Sequence, residues 1–143
     1  MKEKIKEMVD LLEEKLLSFA SDLVKIKSRT GEEEAVVRRI LEEMKALEYD
    51  EAYIDRIGNV IGRIGNGDVK LLFDSHIDNV AVNDPENWKY DPYGGVIKDG
   101  KLYGRGSSDM KGSAAASVYA GAIMKKLGLA EGKTIYICCS VME

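Results

Sequence analysis

One histidine, two cysteines and two prolines among 143 residues restrict what this chain can do. Any reaction that needs an imidazole must use His76. Cys138 and Cys139 are adjacent inside an apolar run, and neighbours in a strand face opposite ways, so they do not form a disulfide with each other. The start, Met1-Lys2-Glu3-Lys4, has no apolar core of a signal peptide. Free thiols without an export signal lead us to expect a reducing, cytoplasmic setting. Positive charge is also short: 21 Lys and Arg stand against 25 Asp and Glu, a net −4. That excludes the basic footprint of a nucleic-acid binder. No apolar run approaches the roughly 20 residues that span a bilayer, so no membrane partner is expected. Repeats and low-complexity tracts are absent, and the length is that of one domain.

What is present alternates between helical and extended patterns. Ile5, Val9, Leu12, Leu16, Phe19 and Leu23 recur at steps of four and three, which predicts a helix over 3–27 with an apolar stripe lying on a sheet. Thr30-Gly31-Glu32-Glu33 matches a capping box and predicts a second helix to about Leu47. Neither helix shows any chemistry. Short strands are expected over 52–55 and 59–64. Gly65-Asn66-Gly67-Asp68 signals a hairpin into Val69–Phe73, which has the pattern of a buried strand. Residues 79–95 form a long polar loop whose Trp88 and Tyr90 are either a substrate rim or packing anchors. Asp99-Gly100 signals a second hairpin. A helix rich in small residues follows over 111–126, its bare face suited to close approach to a sheet. A strand over 133–142 delivers Glu143 at its end.

The apolar run before His76 places Asp74-Ser75-His76-Ile77-Asp78 at a strand end, where residues two apart share a side. His76 and Asp78 then project together, a metal-binding imidazole with a carboxylate to fix its tautomer; a histidine that merely caps a loop is the plain alternative. Gly104-x-Gly106-x-x-Asp109 invites a dinucleotide reading, but Asp109 stands where a third glycine belongs and its charge repels a pyrophosphate. A cysteine–histidine nucleophile fails on placement, because Cys138 and Cys139 sit in mid-strand. Another reading is an anionic ligand placed by tight glycines at a helix start, with Asp109 then a bridging carboxylate for hard or borderline cations. His76, Asp109 and Glu143 all fall at or beside strand ends, where a ligand crevice forms in an open α/β sheet.

These residues carry a resemblance. Ser75-His76-Ile77-Asp78, Trp88 with Asp91-Pro92-Tyr93, the block from Asp99 through Gly104-Arg105-Gly106-Ser107-Ser108-Asp109-Met110-Lys111-Gly112, and Val141-Met142-Glu143 are similar to motifs of the zinc-dependent M20 metallopeptidases and deacylases, in the same order. The loop after Asp78 lacks the Val-Pro-x-Gly of many members, which resembles a less usual branch near hydrolases linked to selenium metabolism. The resemblance implies a three-layer α/β/α fold with a mixed sheet, of the zinc-exopeptidase kind. It implies His76 as ligand of one zinc, Asp109 bridging two, Asp78 orienting the imidazole, and Glu143 as general base, with a cis peptide between Asp109 and Met110. Cobalt or manganese are the expected substitutes for zinc. The implied reaction cleaves an amide of a small peptide or N-acyl amino acid through a zinc-activated water. Family members carry a second glutamate after the base, then a further carboxylate and a distal histidine; this chain stops at Glu143 and lacks the lid and dimerisation domain. Residues 1–143 are therefore expected to be the N-terminal portion of such a catalytic domain, truncated and idle on its own, and prone to self-association as a homo-oligomer through a sheet edge left unpaired. The alternative is a non-catalytic binding or regulatory remnant.

Overall fold

The first apolar stripe folds as α1 (Lys2–Lys25), burying Leu12, Phe19 and Leu23. The computed structural model describes all residues from Met1 to Glu143. After α1 come α2 (Glu34–Ala46), β1 (Glu51–Ile54), β2 (Val60–Gly65), β3 (Val69–His76), the small hairpin β4 (Val96–Lys98) and β5 (Lys101–Tyr103), α3 (Gly112–Lys126) and β6 (Lys133–Ser140). The fold is α/β with a mixed main sheet in the order β1-β2-β6-β3. β6 runs antiparallel to β2 and parallel to β3.

Strand alternation decides which face is covered. Gly62 and Ile64 of β2 lie in register with Ile137 and Ile135 of β6 and point at the helices: a Cβ on Gly62 would strike Tyr49 and the Met44 sulfur of α2. The helix α3 approaches the same face so closely that a Cβ on Gly121 would meet Ile64 at 3.0 Å and Ile137 at 3.1 Å. This is the close contact that the small residues of α3 predict. The stripe of α1 packs on α3 rather than on the main sheet, with Phe19 and Tyr119 rings 6.0 Å apart. A polar cluster ties the three helices: Tyr119 donates to Glu43 Oε1, and Arg39 donates to Glu43 and Asp22. All three helices lie on one side of the sheet. Leu72, Tyr53, Tyr136 and Cys138 look out from the other.

Four expectations change. The stripe of α1 is the first. The second is the capping box: α2 starts after Glu33, and Thr30 caps nothing. The Thr30 hydroxyl instead donates to Asp78, and Glu33 accepts from the backbone N–H of Met142. Third, Gly65–Asp68 does not close a hairpin. β6 inserts between β2 and β3, and Gly65 and Gly67 are there because the backbone of 132–133 passes within a Cβ's reach. Fourth, β3 is not buried. It is an edge strand, with Leu72 66% exposed and Phe73 46%. β6, which leads to Glu143, is interior, and β1 and β3 are the two outer strands of the sheet.

The start of β1 is clamped to α3 by Asp50, which sits 2.7 Å from Lys125 Nζ and accepts the N–H of Gly65. The Lys125 ammonium and that N–H hold the Asp50 carboxyl below its usual range. A depressed carboxylate pKa gives stability that is present above the ordinary value near 3.8 and lost as pH falls through the native one. Asp50→Asn is therefore expected to cost at most about 1 kcal/mol at neutral pH, because the pair is partly exposed. Urea unfolding of both proteins should show that difference vanishing as pH drops below 3.8. A gap that stays constant with pH would assign the effect to shape, not charge.

Candidate metal centre

Two parallel strands that end together build the site. β3 and β6 are in register to the last pair, His76 with Ser140, and Ile77 N–H continues the pairing to Ser140 O. Beyond that point the chain after β6 has no strand partner, so its donors need others. Three successive amides find side-chain acceptors: Val141 N–H donates to Asn59 Oδ1, Met142 N–H to Glu33 Oε1, and Glu143 N–H to Asp78 Oδ1. This lacing brings Glu143 Oε2 to 3.6 Å from His76 Nε2.

Asp109 arrives from the turn between β5 and α3. Gly106 adopts φ +77°, its carbonyl accepts from Lys111 N–H, and the Asp109–Met110 peptide is cis, as the resemblance implies. Asp109 Oδ1 lies 2.9 Å from His76 Nε2. The turn is anchored by Lys111, which is fully buried and donates to Ile26 O at the end of α1. Burial pulls its amine down to about 8.

Asp78 stands behind the imidazole. Its Oδ1 is 3.5 Å from His76 Nδ1, its carbonyl is 3.2 Å from the same nitrogen, and its Oδ2 accepts the Thr30 hydroxyl at 2.7 Å. Burial raises the Asp78 pKa, but the hydrogen bonds from Thr30 and the Glu143 amide, with the His76 charge, more than offset that and leave it below the ordinary value. Burial likewise lowers His76, and the Asp109 hydrogen bond with the charges of Glu143, Asp109 and Asp78 raises it above its ordinary 6.5. The side chains of His76 and Asp78 are 12% and 7% exposed, whereas Asp109 is 87% and Glu143 70%. The imidazole and its support are preset, and the two outer carboxylates stand in solvent.

The four sequence-derived site residues thus converge on one cavity of about 260 Å³. Sequence reading missed Thr30, Asn59 and Glu33, which hold Asp78 and the Glu143 segment. A buried Asp78 needing a donor was the available signal for Thr30. It also left Trp88 and Tyr90 open, and both pack: Arg105 lies over the Trp88 ring at 5.0 Å, and Tyr90 meets Tyr103 edge-on at 4.7 Å. As donors, an imidazole nitrogen and carboxylate oxygens suit a borderline cation such as zinc. No group of three or more His, Cys, Asp or Glu side chains is arranged to hold an ion. The donor types fit a metal, and their number leaves its coordination unfinished.

The helix-covered mixed sheet is the fold of the catalytic domains of solved M20 peptidases. Residues 72–143 match Peptidase family M20/M25/M40, and the chain belongs to that family. It is 43% identical over 125 residues to the uncharacterized protein YgeY of Escherichia coli K12, covering 87% of this chain and 31% of that protein. It is 32% identical over 120 residues to succinyl-diaminopimelate desuccinylase of Rhodospirillum centenum, covering 78% and 31%. Human carnosine dipeptidase 1 superimposes with a TM-score of 0.82 at 21% identity, over 99% of this chain and 34% of that one. A dinuclear metal-binding M20 peptidase of Bacillus subtilis does so at 0.67 and 16%, over 94% and 36%. The chain spans about a third of the length of the curated relatives it matches.

Proposed function

We propose that residues 1–143 supply one side of the hydrolytic centre of an M20 enzyme that cleaves an amide bond in a small peptide or N-acyl amino acid. The convergence of His76, Asp109 and Glu143, with Asp78 behind the imidazole, carries this reading. His76 Nε2 and Asp109 would hold zinc, with Asp109 shared between two ions; cobalt or manganese would serve in its place. When bound, the metal supplies Lewis acidity toward the attacking water and the scissile carbonyl.

The chain's own groups do the rest. The Asp78 carbonyl and carboxylate stand beside His76 Nδ1 and would keep a proton there, which would leave Nε2 to a metal in place of its hydrogen bond with Asp109. Thr30 and the Glu143 amide keep Asp78 ionised for that task. The Glu143 carboxylate accepts a proton from the attacking water and passes it to the departing amine. Its backbone is tied to the same Asp78 that sets the imidazole, so base and ligand are positioned by one side chain. The unpaired thiols suit a reducing compartment such as the cytoplasm. No helix is long and apolar enough to cross a membrane.

A second reading, a folded module without catalysis, draws on the missing third donor. A catalytic zinc site takes about three protein ligands and keeps one open position. The 143-residue chain is therefore expected to turn over no N-acyl amino acid or dipeptide with added zinc, cobalt or manganese. The same residues joined to the remaining part of the Rhodospirillum centenum desuccinylase are expected to restore amide cleavage, and Glu143→Gln to abolish it. A folded, metal-loaded chimera that stays inactive would favour the second reading.

A further inference from the structure

β2 runs antiparallel to β6, so the turn that opens β2 lies beside the end of β6. Val60 is in register with Cys139, and a Cβ on Gly58 would sit 3.5 Å from Val141 Cγ2. One carboxylate organises this turn. Asp55 Oδ1 accepts the backbone N–H groups of Ile57, Gly58 and Asn59, each at 2.9 Å. Asp55 Oδ2 accepts Asn59 Nδ2, also at 2.9 Å. Burial raises the Asp55 pKa, but the Asn59 side chain and the three amides more than offset that and leave it below the ordinary 3.8. At neutral pH the carboxylate is therefore ionised and can only accept. The other end of the Asn59 amide meets a group that can only donate, the Val141 N–H, 3.0 Å from Oδ1. Between an acceptor and a donor, a side-chain amide has one satisfied orientation.

We propose that Asp55 is a positioning residue for the hydrolytic centre, acting through Asn59: it locks the amide with its oxygen toward Val141, and that bond directs the segment that places Glu143 beside His76. The proposal rests on the reading of Glu143 as the base. Val141 carries the first of the three tied amides after β6, so it sets the path on which Met142 reaches Glu33 and Glu143 reaches Asp78. The hairpin turn, remote from the reacting atoms, thereby becomes part of the support of the base.

Asp55→Asn keeps the size of the side chain and changes its polarity. Three backbone N–H groups hold its oxygen, so its new NH2 faces Asn59 Nδ2, donor against donor. The Asn59 amide is then expected to turn over and aim its own NH2 at the Val141 N–H, which breaks that bond. Adding Asn59→Asp rebuilds the relay with its ends exchanged: the NH2 at position 55 donates to the carboxylate at 59, whose other oxygen accepts from Val141. In the 143-residue chain, the Val141 amide should exchange with deuterium about tenfold faster in Asp55→Asn and return close to wild type in the double variant. Circular dichroism checks that each variant is folded. In the chimera with the Rhodospirillum centenum desuccinylase, Asp55→Asn should lower kcat about tenfold with KM little changed, and the second substitution should restore it. A Val141 amide that exchanges alike in wild type and Asp55→Asn overturns the proposal, as does a double variant that stays as fast as the single one. A kcat lost in Glu143→Gln but untouched by Asp55→Asn overturns the positioning role and leaves the base in place. Activity that survives Glu143→Gln overturns the reading of the base, and the proposal with it.

Discussion

Asp78→Ala is expected to weaken zinc binding by the 143-residue chain about 10- to 100-fold, the usual consequence of losing the carboxylate behind a ligand imidazole. Three contacts go at once. His76 Nδ1 loses its carboxylate neighbour, the Thr30 hydroxyl loses its acceptor, and the Glu143 amide is released. Loss of the Asp78 charge also removes one of the groups that raise the His76 pKa. Asp78→Asn separates shape from charge, since it retains an acceptor for Thr30 but not the carboxylate. Competition against a chromophoric chelator reads the affinity. Equal zinc affinity in wild type and Asp78→Ala would reduce Asp78 to a tether for the segment after β6.

Gly121→Val should destabilise the fold by about 3 kcal/mol, the upper end of what overpacking a filled core costs. A first Cβ at this position already falls 2.3 Å from Tyr49 Oη, and the two branch carbons of valine add to the crowding. Tyr49 cannot retreat freely, because its hydroxyl donates to Val118 O on α3, and burial drives its phenol pKa upward. On the sheet side, Ile64 and Ile137 are fully buried and have no space to yield. Either α3 lifts from the sheet or the Tyr49 bond breaks. Because the helix also carries the turn that presents Asp109, a displaced α3 disturbs the site as well. Urea unfolding measures the loss, and a change under about 1 kcal/mol would show that α3 slides without penalty.

Local signals in the sequence transferred well where the structure is local. The 3.6-residue periodicity of α1 and α2, the Asp99-Gly100 hairpin and the small-residue face of α3 needed only neighbours to be understood. The placement of His76 and Glu143 was legible for a related reason: the parallel strands β3 and β6 have their carboxyl ends on the same side of the sheet, whereas Asp109 reaches them on the turn between β5 and α3. Strand order itself was not legible. β6 comes last in the chain yet separates β2 from β3, and nothing in Gly65-Asn66-Gly67-Asp68 shows a strand that arrives more than sixty residues later. The same insertion made β3 an edge, so its apolar run did not mean burial. Thr30 shows a different failure. Thr-x-x-Glu spacing fits a capping box, but both side chains were drawn to distant partners, Asp78 and Met142, whose buried or unpaired groups needed them more. The periodicity of α1 marks a buried stripe, but its partner, α3, depends on the tertiary arrangement.

The central claim is that His76 Nε2 and Asp109 together present a metal site. Because the chain has a single histidine, its imidazole nitrogens can be followed in a nitrogen-15 NMR titration without ambiguity. Added zinc is expected to move the Nε2 resonance and leave Nδ1 protonated toward Asp78, with Asp109→Asn weakening the response. An Nε2 resonance that zinc does not shift, or one that shifts identically in Asp109→Asn, would contradict the account.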